Sequence, residues 1–144
     1  MLSYSLQKPT FEELLEFFYN TDDDFTIPLR TFLDLETYVR KLYIHASIYT
    51  CREDNKIVGV LCCYTNRPPE AYISHICVAK AFQHQGIFST LHKMLVSHCL
   101  EKSITSISLQ VNKENTLAYN LYIALGYSII SQTDTQYTLQ LSLQ

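Results

Sequence analysis

The stretch that decides the fold is "FQHQGIFSTLHKML", residues 82–95, which joins a strand-like run to a helix-like run. Gly86 is one of only three glycines in the chain, and it stands where the predicted helix begins. The first N–H groups of a helix have no partner inside the helix, and the helix dipole favours an anion beside them. Because glycine leaves the backbone bare, the stretch predicts either a phosphate seat or a glycine that only the turn requires.

The stretch lacks the two best-known phosphate-binding patterns. It contains neither the GxxxxGK[ST] of a P-loop nor the GxGxxG of a dinucleotide-binding fold. One glycine before a helix is weak evidence alone, so the rest of the chain has to decide between the two interpretations.

Hydrophobic periodicity around this stretch predicts a mixed α/β fold. Helices are predicted at residues 10–20, 34–45, 86–101 and 116–125, and strands at 47–51, 56–64, 71–79 and 106–111, followed by "YSII" and "QYTLQL". Thr10 and Glu13 form a capping-box pattern at the first helix. A helix between strands 71–79 and 106–111 predicts that these two strands are parallel neighbours. With no repeat and no linker, we expect a single domain over residues 1–144.

Composition excludes several classes of protein. The net charge is −3 with no Lys/Arg cluster, so nucleic acid is a poor partner. No apolar run reaches the length of about 18 residues that a membrane helix needs. The odd count of five cysteines without CxxC, together with the lack of a signal-peptide pattern, predicts reduced thiols and a cytoplasmic location. The five histidines have no metal-ligand spacing, so we expect no metal.

Two motifs carry a resemblance to a known family. "VAKAFQHQGIFSTL", residues 78–91, resembles the acetyl-CoA signature Q/R-x-x-G-x-G/A of the GCN5-related N-acetyltransferases, the GNAT superfamily. "LQVNKENTLAYNLYIALGY", residues 109–127, is similar to the other end of the GNAT core, with the pattern A-x-x-x-Y-x-x-x-G-F/Y. One departure is Phe88, which stands where most members have Gly or Ala. Its side chain either faces the loop and crowds a pyrophosphate, or packs back under the sheet.

The resemblance implies the GNAT fold, a mixed central sheet flanked by helices in which strands 71–79 and 106–111 splay apart to admit acetyl-CoA. Backbone groups after the first strand would hold the pantetheine arm, and the loop and helix start would hold the pyrophosphate. The residues implied in acetyl-CoA binding are Ile76, Cys77, Val78, Gln83, His84, Gln85, Gly86, Ile87, Phe88, Ser89 and Asn115.

Acetyl transfer to an amine needs a donor for the leaving thiolate and a base for the ammonium. Tyr122 matches the family's general-acid position; the alternative is a core tyrosine. His75 is the only histidine on strand 71–79, and its ordinary pKa suits a base. The alternatives are a histidine satisfied within the sheet, or a base role for Glu70 or for the carboxylates of Asp22–Asp24. That acidic run is otherwise expected to be a solvated turn.

The resemblance therefore predicts an acetyl-CoA-dependent N-acetyltransferase of a small primary amine. An amino sugar is one candidate, because residues 27–49 are similar to small GNAT proteins found among surface-polysaccharide genes. The alternative is a GNAT-fold module that binds CoA or a protein without catalysis, and a third hypothesis is transfer of a longer acyl group or transfer to a hydroxyl. The alternating last strand "YTLQLSL" is expected to be an exposed edge that could pair in a homodimer.

Overall fold

A seven-stranded mixed sheet forms the centre of the computed structural model, which describes residues 1–25 and 27–143. The elements in chain order are β1 (Leu2–Ser5), α1 (Phe11–Asp22), α2 (Leu35–His45), β2 (Ser47–Glu53), β3 (Lys56–Arg67), β4 (Glu70–Val78), α3 (Ile87–Glu101), β5 (Ser106–Asn112), α4 (Thr116–Ala124), β6 (Ser128–Gln132) and β7 (Gln136–Ser142). Short 3-10 helices lie at Leu29–Thr31 and Lys80–Phe82. The predicted mixed α/β architecture is confirmed.

The strands are arranged in the order β1-β2-β3-β4-β5-β7-β6. All neighbouring strands are antiparallel except β4 and β5, which are parallel as the crossover helix α3 predicted. The sequence prediction of the last strand as a free edge was wrong. β7 lies between β5 and β6, so β6 is the edge strand, because the closing hairpin folds back toward the sheet.

The strand β1 was also missed by sequence reasoning. Its four residues, "LSYS", are too few to show a strand pattern by themselves. They pair with β2 in antiparallel register, from Leu2 opposite Glu53 to Ser5 opposite Thr50. These residues therefore form a strand because they pair with the free edge of β2, and not because of their own β propensity.

Local signals place the helices where they were expected. The Thr10 hydroxyl accepts from the Glu13 N–H at 3.1 Å, and the Glu13 carboxylate accepts from the Thr10 N–H at 3.0 Å, which completes the capping box of α1. α1 and α2 cover one face of the sheet, and α3 covers the other. β3 is buried on both faces, with Cys62 toward α1 and α2 and Cys63 toward α3.

Gly59 in β3 lets α3 approach the sheet closely. A Cβ built at this position would lie 2.8 Å from Cγ2 of Ile87, the first residue of α3. Since real Cβ atoms do not tolerate that distance, a side chain at residue 59 would displace the start of α3. Within the described residues, no helix combines the length and the hydrophobicity that crossing a bilayer would need.

Candidate active site: a cleft between β4 and β5

The candidate site is a cleft that opens where two parallel strands diverge. β4 and β5 pair only from Glu70 opposite Ser106 to Tyr72 opposite Ser108. Beyond that point lies a cavity of about 210 Å³. Its walls come from β4, β5 and the first turns of α3 and α4, and the lining residues are Ile73, Ser74, His75, Ile76, Phe88, Leu109, Gln110, Val111, Asn112, Asn115, Ala118 and Tyr122. The predicted splay of the two strands is therefore present.

The start of α3 is held in a conformation that favours glycine. Gly86 has φ +80° and ψ 8°, which is left-handed, and the helix start carries no side-chain cap and no acidic residue in its first turn. A Cβ built at Gly86 would meet no atom within 4 Å. The turn therefore requires glycine for its backbone angles, and the space above it is open to a ligand. The phosphate seat stays a prediction.

Two side chains fix the loop that leads to α3. Gln83 Nε2 donates to the carbonyl of Val78 at 3.2 Å, and the Thr90 hydroxyl donates to the carbonyl of Gly86 at 2.9 Å. His84 also has a positive φ, of 67°. Four predicted binding residues are exposed on this loop and helix start: Gln83, His84, Gln85 and Ser89. The loop is thus tied to the end of β4 at one side and to the first turn of α3 at the other.

Tyr122 lies on the wall of the cleft with 5% of its surface exposed. Burial raises the pKa of its hydroxyl, so the phenol stays protonated at neutral pH. Phe88 packs edge-on against it, with ring centroids 5.5 Å apart. Of the two placements considered for Phe88, the structure has the inward one: the half-buried ring packs against the core and also lines the cleft.

Asn115 caps α4, because its Oδ1 accepts from the N–H of Ala118 at 3.2 Å. Its position in the cleft wall leaves a contact with a bound cofactor open as a prediction. The i,i+3 and i,i+4 spacing of Ala118, Leu121, Tyr122 and Leu125 predicts that they share an inward face of α4, but Leu121 is 41% exposed. Within α4, Tyr122 is the buried residue.

His75 is buried on the side of β4 that faces α1 and α2. Its ring lies 4.4 Å from the ring of Phe18 and 5.6 Å from that of Phe25, between centroids. Burial lowers its pKa to about 4, although the nearby Asp22 carboxylate opposes that shift. Its Nε2 has no hydrogen-bond partner in the described part of the chain. This environment disfavours a base role, and it also differs from the satisfied histidine that was the alternative.

The acidic run after α1 is not simply a solvated turn. Asp22 is 1% exposed, and its carboxylate accepts from the N–H groups of Leu29 and Arg30 at 2.8 and 3.3 Å and from the Arg30 guanidinium at 3.0 Å. Asp23 forms an ion pair with the same arginine. Asp22 therefore holds the 3-10 turn in place, whereas Asp24 is exposed. Glu70 is exposed at the closed end of the cleft.

Cys77 is unsuited to act as a nucleophile. Its side chain packs with the α1–α2 core, and burial raises the pKa of its thiol to about 11. Ile76 and Val78, its neighbours on β4, pack toward α3. These three residues would therefore meet a ligand in the cleft mainly through backbone groups.

Sequence reasoning missed three polar residues of the cleft, Ser74, Gln110 and Asn112. Ser74 is the extra residue of a bulge in β4, and its hydroxyl lies 2.8 Å from the hydroxyl of Tyr38 in α2. Nothing in the local sequence marks a bulge at this position. Asn112 ends β5 and accepts from the N–H of Glu114 at 2.8 Å. The Asn at the end of an alternating strand was the available signal.

A larger groove of about 680 Å³ lies elsewhere, between α1, the β2–β3 turn and the Lys80–Phe82 helix. Its lining includes carboxylates that already have cationic partners. Glu13 pairs with Arg52 at 2.6 Å, and Glu53 pairs with the N-terminal ammonium at 3.0 Å. Because the motif residues Asn115 and Tyr122 line the β4–β5 cleft and do not line this groove, we place the candidate site in the β4–β5 cleft.

Comparison with known proteins agrees with this geometry. The chain is 29% identical over 94 residues to GCN5-related N-acetyltransferase 6, chloroplastic, of Arabidopsis thaliana, a match over 59% of this chain and 33% of that protein. It is 30% identical over 79 residues to the [ribosomal protein bS18]-alanine N-acetyltransferase of Haemophilus ducreyi, over 55% of this chain and 54% of the relative. The chain thus spans only about a third to a half of these curated relatives.

Solved structures share the fold at low sequence identity. Ard1 from Thermoplasma volcanium superposes with a TM-score of 0.84 at 19% identity, over 99% of this chain and 98% of that one. The PaiA N-acetyltransferase from Thermoplasma acidophilum in complex with coenzyme A gives 0.79 at 12% identity, over 99% of both chains. The family model described as "Acetyltransferase (GNAT) family" matches residues 8–127. The chain therefore belongs to the GNAT acetyltransferase family.

Proposed function

We propose that this protein is an acetyl-CoA-dependent N-acetyltransferase that acts on the primary amine of a small molecule, with an amino sugar as one candidate acceptor. The observation that supports it most is the β4–β5 cleft, whose lining includes Tyr122 and, packed against it, Phe88 from the first turn of α3. A protein amine is the rival acceptor, because one relative is named as a ribosomal protein alanine N-acetyltransferase.

The residues present fit acetyl-CoA on two grounds. The start of α3 has no side-chain cap and carries no acidic residue, so its N–H groups suit a pyrophosphate. The β4–β5 ladder stops at Tyr72, so the later backbone groups of β4 on that side face the cleft and suit an extended amide-bearing arm. When bound, acetyl-CoA supplies an acetyl group activated as a thioester.

Each part of the chain has a distinct role in this proposal. The backbone from Gln83 to Ser89 would hold the phosphates, and the backbone from Ile76 to Val78 would hold and orient the arm. Asn115, besides capping α4, would contact that arm. The neutral hydroxyl of Tyr122 would serve as the proton donor for the thiolate that acetyl-CoA releases. Phe88 excludes water from the wall beside Tyr122.

The environments of His75 and Asp22 do not suit a general base. A histidine of pKa about 4 is a poor acceptor for a proton from an ammonium, so His75 is disfavoured. Asp22 is occupied by Arg30 and two backbone N–H groups. Water and the exposed carboxylates of Asp24 and Glu70 remain as candidates.

The first experiment is calorimetric titration with acetyl-CoA, with CoA and ATP as controls. We expect micromolar binding of acetyl-CoA and none of ATP. CoA release is then measured with a panel of amino sugars, simple amines and peptides with a free N-terminus. Binding of acetyl-CoA without turnover of any acceptor would favour the non-catalytic module, and turnover with peptides alone would replace the small-molecule acceptor.

The role of Tyr122 is tested by Tyr122→Phe. We expect kcat to fall about 100-fold, because a positioned general acid contributes that much, while the Kd for acetyl-CoA stays unchanged. Tyr119→Phe is the matched control, since Tyr119 lies on the same helix but packs against Tyr137 at 5.1 Å between ring centroids. Unchanged turnover in Tyr122→Phe would reject the acid assignment.

Two further parts of the proposal concern the whole chain. Its described cysteines are all free, which is consistent with a cytoplasmic location. A homodimer is proposed through the exposed edge strand β6 rather than through β7.

A further inference from the structure

The core between α3 and α4 contains a buried polar pair that acetyl transfer does not obviously need. His92 of α3 and Tyr127, which follows α4, are each 3% exposed. His92 Nε2 lies 2.8 Å from the Tyr127 hydroxyl. The surroundings are apolar, with Leu91 and Leu95 of α3 fully buried nearby in the same cluster. Burying two polar groups is unfavourable unless they bond to each other, and an apolar pair would fill the space without that constraint.

This pair needs no charge to form its hydrogen bond. Burial lowers the pKa of His92 to about 4, so the imidazole is neutral at pH 7 and keeps one nitrogen as an acceptor. Burial raises the pKa of Tyr127, so its hydroxyl stays protonated. A single hydrogen bond between two neutral, buried groups therefore fixes the orientation of both rings.

Tyr127 lies directly against Tyr122. Their ring centroids are 5.4 Å apart with the planes at 69°, and the Tyr127 N–H donates to the Tyr122 carbonyl at 3.1 Å. Gly126, with φ +104°, turns the chain so that Tyr127 returns beneath α4. The Tyr122 ring also meets Phe88 edge-on. Tyr122 thus contacts two edge-on aromatic rings, and one of them, Tyr127, is hydrogen-bonded to His92.

We propose that His92 and Tyr127 are positioning residues for Tyr122, fixing its ring at the angle that aims the hydroxyl into the cleft. The inference rests on the proposed function. Tyr122 needs such positioning because α4 has only nine residues and few of its side chains are buried. The orientation of the Tyr122 ring therefore depends on the side chains that contact it. Small displacements of a donor reduce catalysis strongly while leaving binding of the cofactor intact.

Kinetics of three variants test the proposal. Tyr127→Phe removes only the hydroxyl, His92→Leu removes the partner, and His92→Gln keeps a hydrogen-bonding side chain. We expect Tyr127→Phe and His92→Leu each to lower kcat about 10-fold with the KM for acetyl-CoA unchanged, and His92→Gln to recover part of the loss. In a Tyr122→Phe background, neither substitution should lower kcat further, because the group they position is absent.

A second histidine–tyrosine pair, between half-buried His98 of α3 and buried Tyr49 of β2, supplies the matched control. The Tyr49 hydroxyl lies 2.6 Å from His98 Nδ1, whereas the aromatic contacts of Tyr122 are with Phe88 and Tyr127. We expect His98→Leu to lower the melting temperature, as His92→Leu does, but to leave kcat unchanged. Equal losses of kcat in both variants, or a full 10-fold loss in the Tyr122→Phe background, would overturn the proposal and indicate a purely structural pair.

A readout independent of turnover separates this inference from the proposed function. The ring resonances of Tyr122 in a protein with ¹³C-labelled tyrosine are identified by their loss in Tyr122→Phe. We expect them to shift or broaden in His92→Leu and to stay in place in His98→Leu. If no acceptor is turned over but these resonances respond, the proposed function fails while the positioning stands. Unmoved resonances in His92→Leu would refute the positioning itself.

Discussion

Gly86 stands at the start of α3, two residues before Phe88, which lines the cleft. Its φ of +80° is left-handed, and an L-residue held there costs about 1–2 kcal/mol. The same backbone angle directs the first N–H groups of α3 outward. Phe88, two residues later, departs from the family signature without entering the loop, because its ring turns toward Tyr122. The left-handed turn and the uncapped helix start are therefore present although Phe88 stands at a signature position that is usually small.

We expect Gly86→Ala to weaken acetyl-CoA binding about 10-fold, because a strained backbone and an added methyl group disturb charge-assisted hydrogen bonds to phosphate. Gly126→Ala is the matched control: its φ of +104° is equally unsuited to alanine, but it follows the end of α4 rather than standing at a helix start. It should lower the melting temperature and leave the Kd unchanged. Calorimetric titration of both variants with acetyl-CoA checks this. Equal Kd values for Gly86→Ala and Gly126→Ala would show that Gly86 does not form a phosphate-binding site.

At the scale of elements, the first turn of α1 combines a cap with an ion pair. Glu13 accepts from the Thr10 N–H and pairs with Arg52 of β2, so the helix start is bonded to the sheet. The Arg52 guanidinium, and then the Thr10 N–H, lower the pKa of the Glu13 carboxyl to about 2. A carboxyl whose pKa is depressed by folding stabilises the native state above its unfolded pKa and loses that contribution as pH falls.

This linkage predicts a pH window. The stabilisation by Glu13 should be complete above the ordinary carboxyl pKa of 4.5 and should fade as pH drops toward 2. Because the side chain is 39% exposed, we expect it to contribute less than about 1 kcal/mol. Urea unfolding from pH 6 to pH 2.5 should show a flatter pH dependence for Glu13→Gln than for Glu12→Gln. Parallel curves for the two variants would contradict the assignment.

At the scale of the whole molecule, the sheet ends in two unlike edges. β1 is short and is flanked by the N-terminal ammonium, which pairs with Glu53. β6 is exposed at all five residues, including Ile129 and Ile130. Residues 115–133 contain no charged side chain. Natural edge strands are usually guarded by charge, so an uncharged apolar edge is suited to pair with its own copy without placing like charges together.

We expect light scattering at micromolar concentration to give twice the 16.7 kDa chain mass. Ile130→Lys should return the protein to a monomer, since it introduces like charges at the proposed interface. Ile44→Lys, on the exposed face of α2, is the control and should leave the mass unchanged. A monomer at all concentrations in the unsubstituted protein would exclude the dimer.

The resemblance to the GNAT family implied the cleft between β4 and β5, and the sequence pattern by itself determined the helices, most strands and the parallel β4–β5 pair. These follow from local signals: the Thr10–Glu13 box, the alternation in β5, the glycine that starts α3, and the length of the crossover. Such signals involve residues within one or two turns of each other. They can therefore be read without knowledge of distant contacts.

Only the tertiary structure decided what surrounds each candidate side chain. His75 is buried and packs against Phe18, and the Asp22 carboxylate accepts a hydrogen bond from Arg30. Strand β7 lies inside the sheet rather than at its edge. The contact of Phe88 with Tyr122 and the bond between His92 and Tyr127 join residues 34 and 35 positions apart. Burial, pKa and side-chain direction depend on such long-range packing, which no local pattern of residues reports.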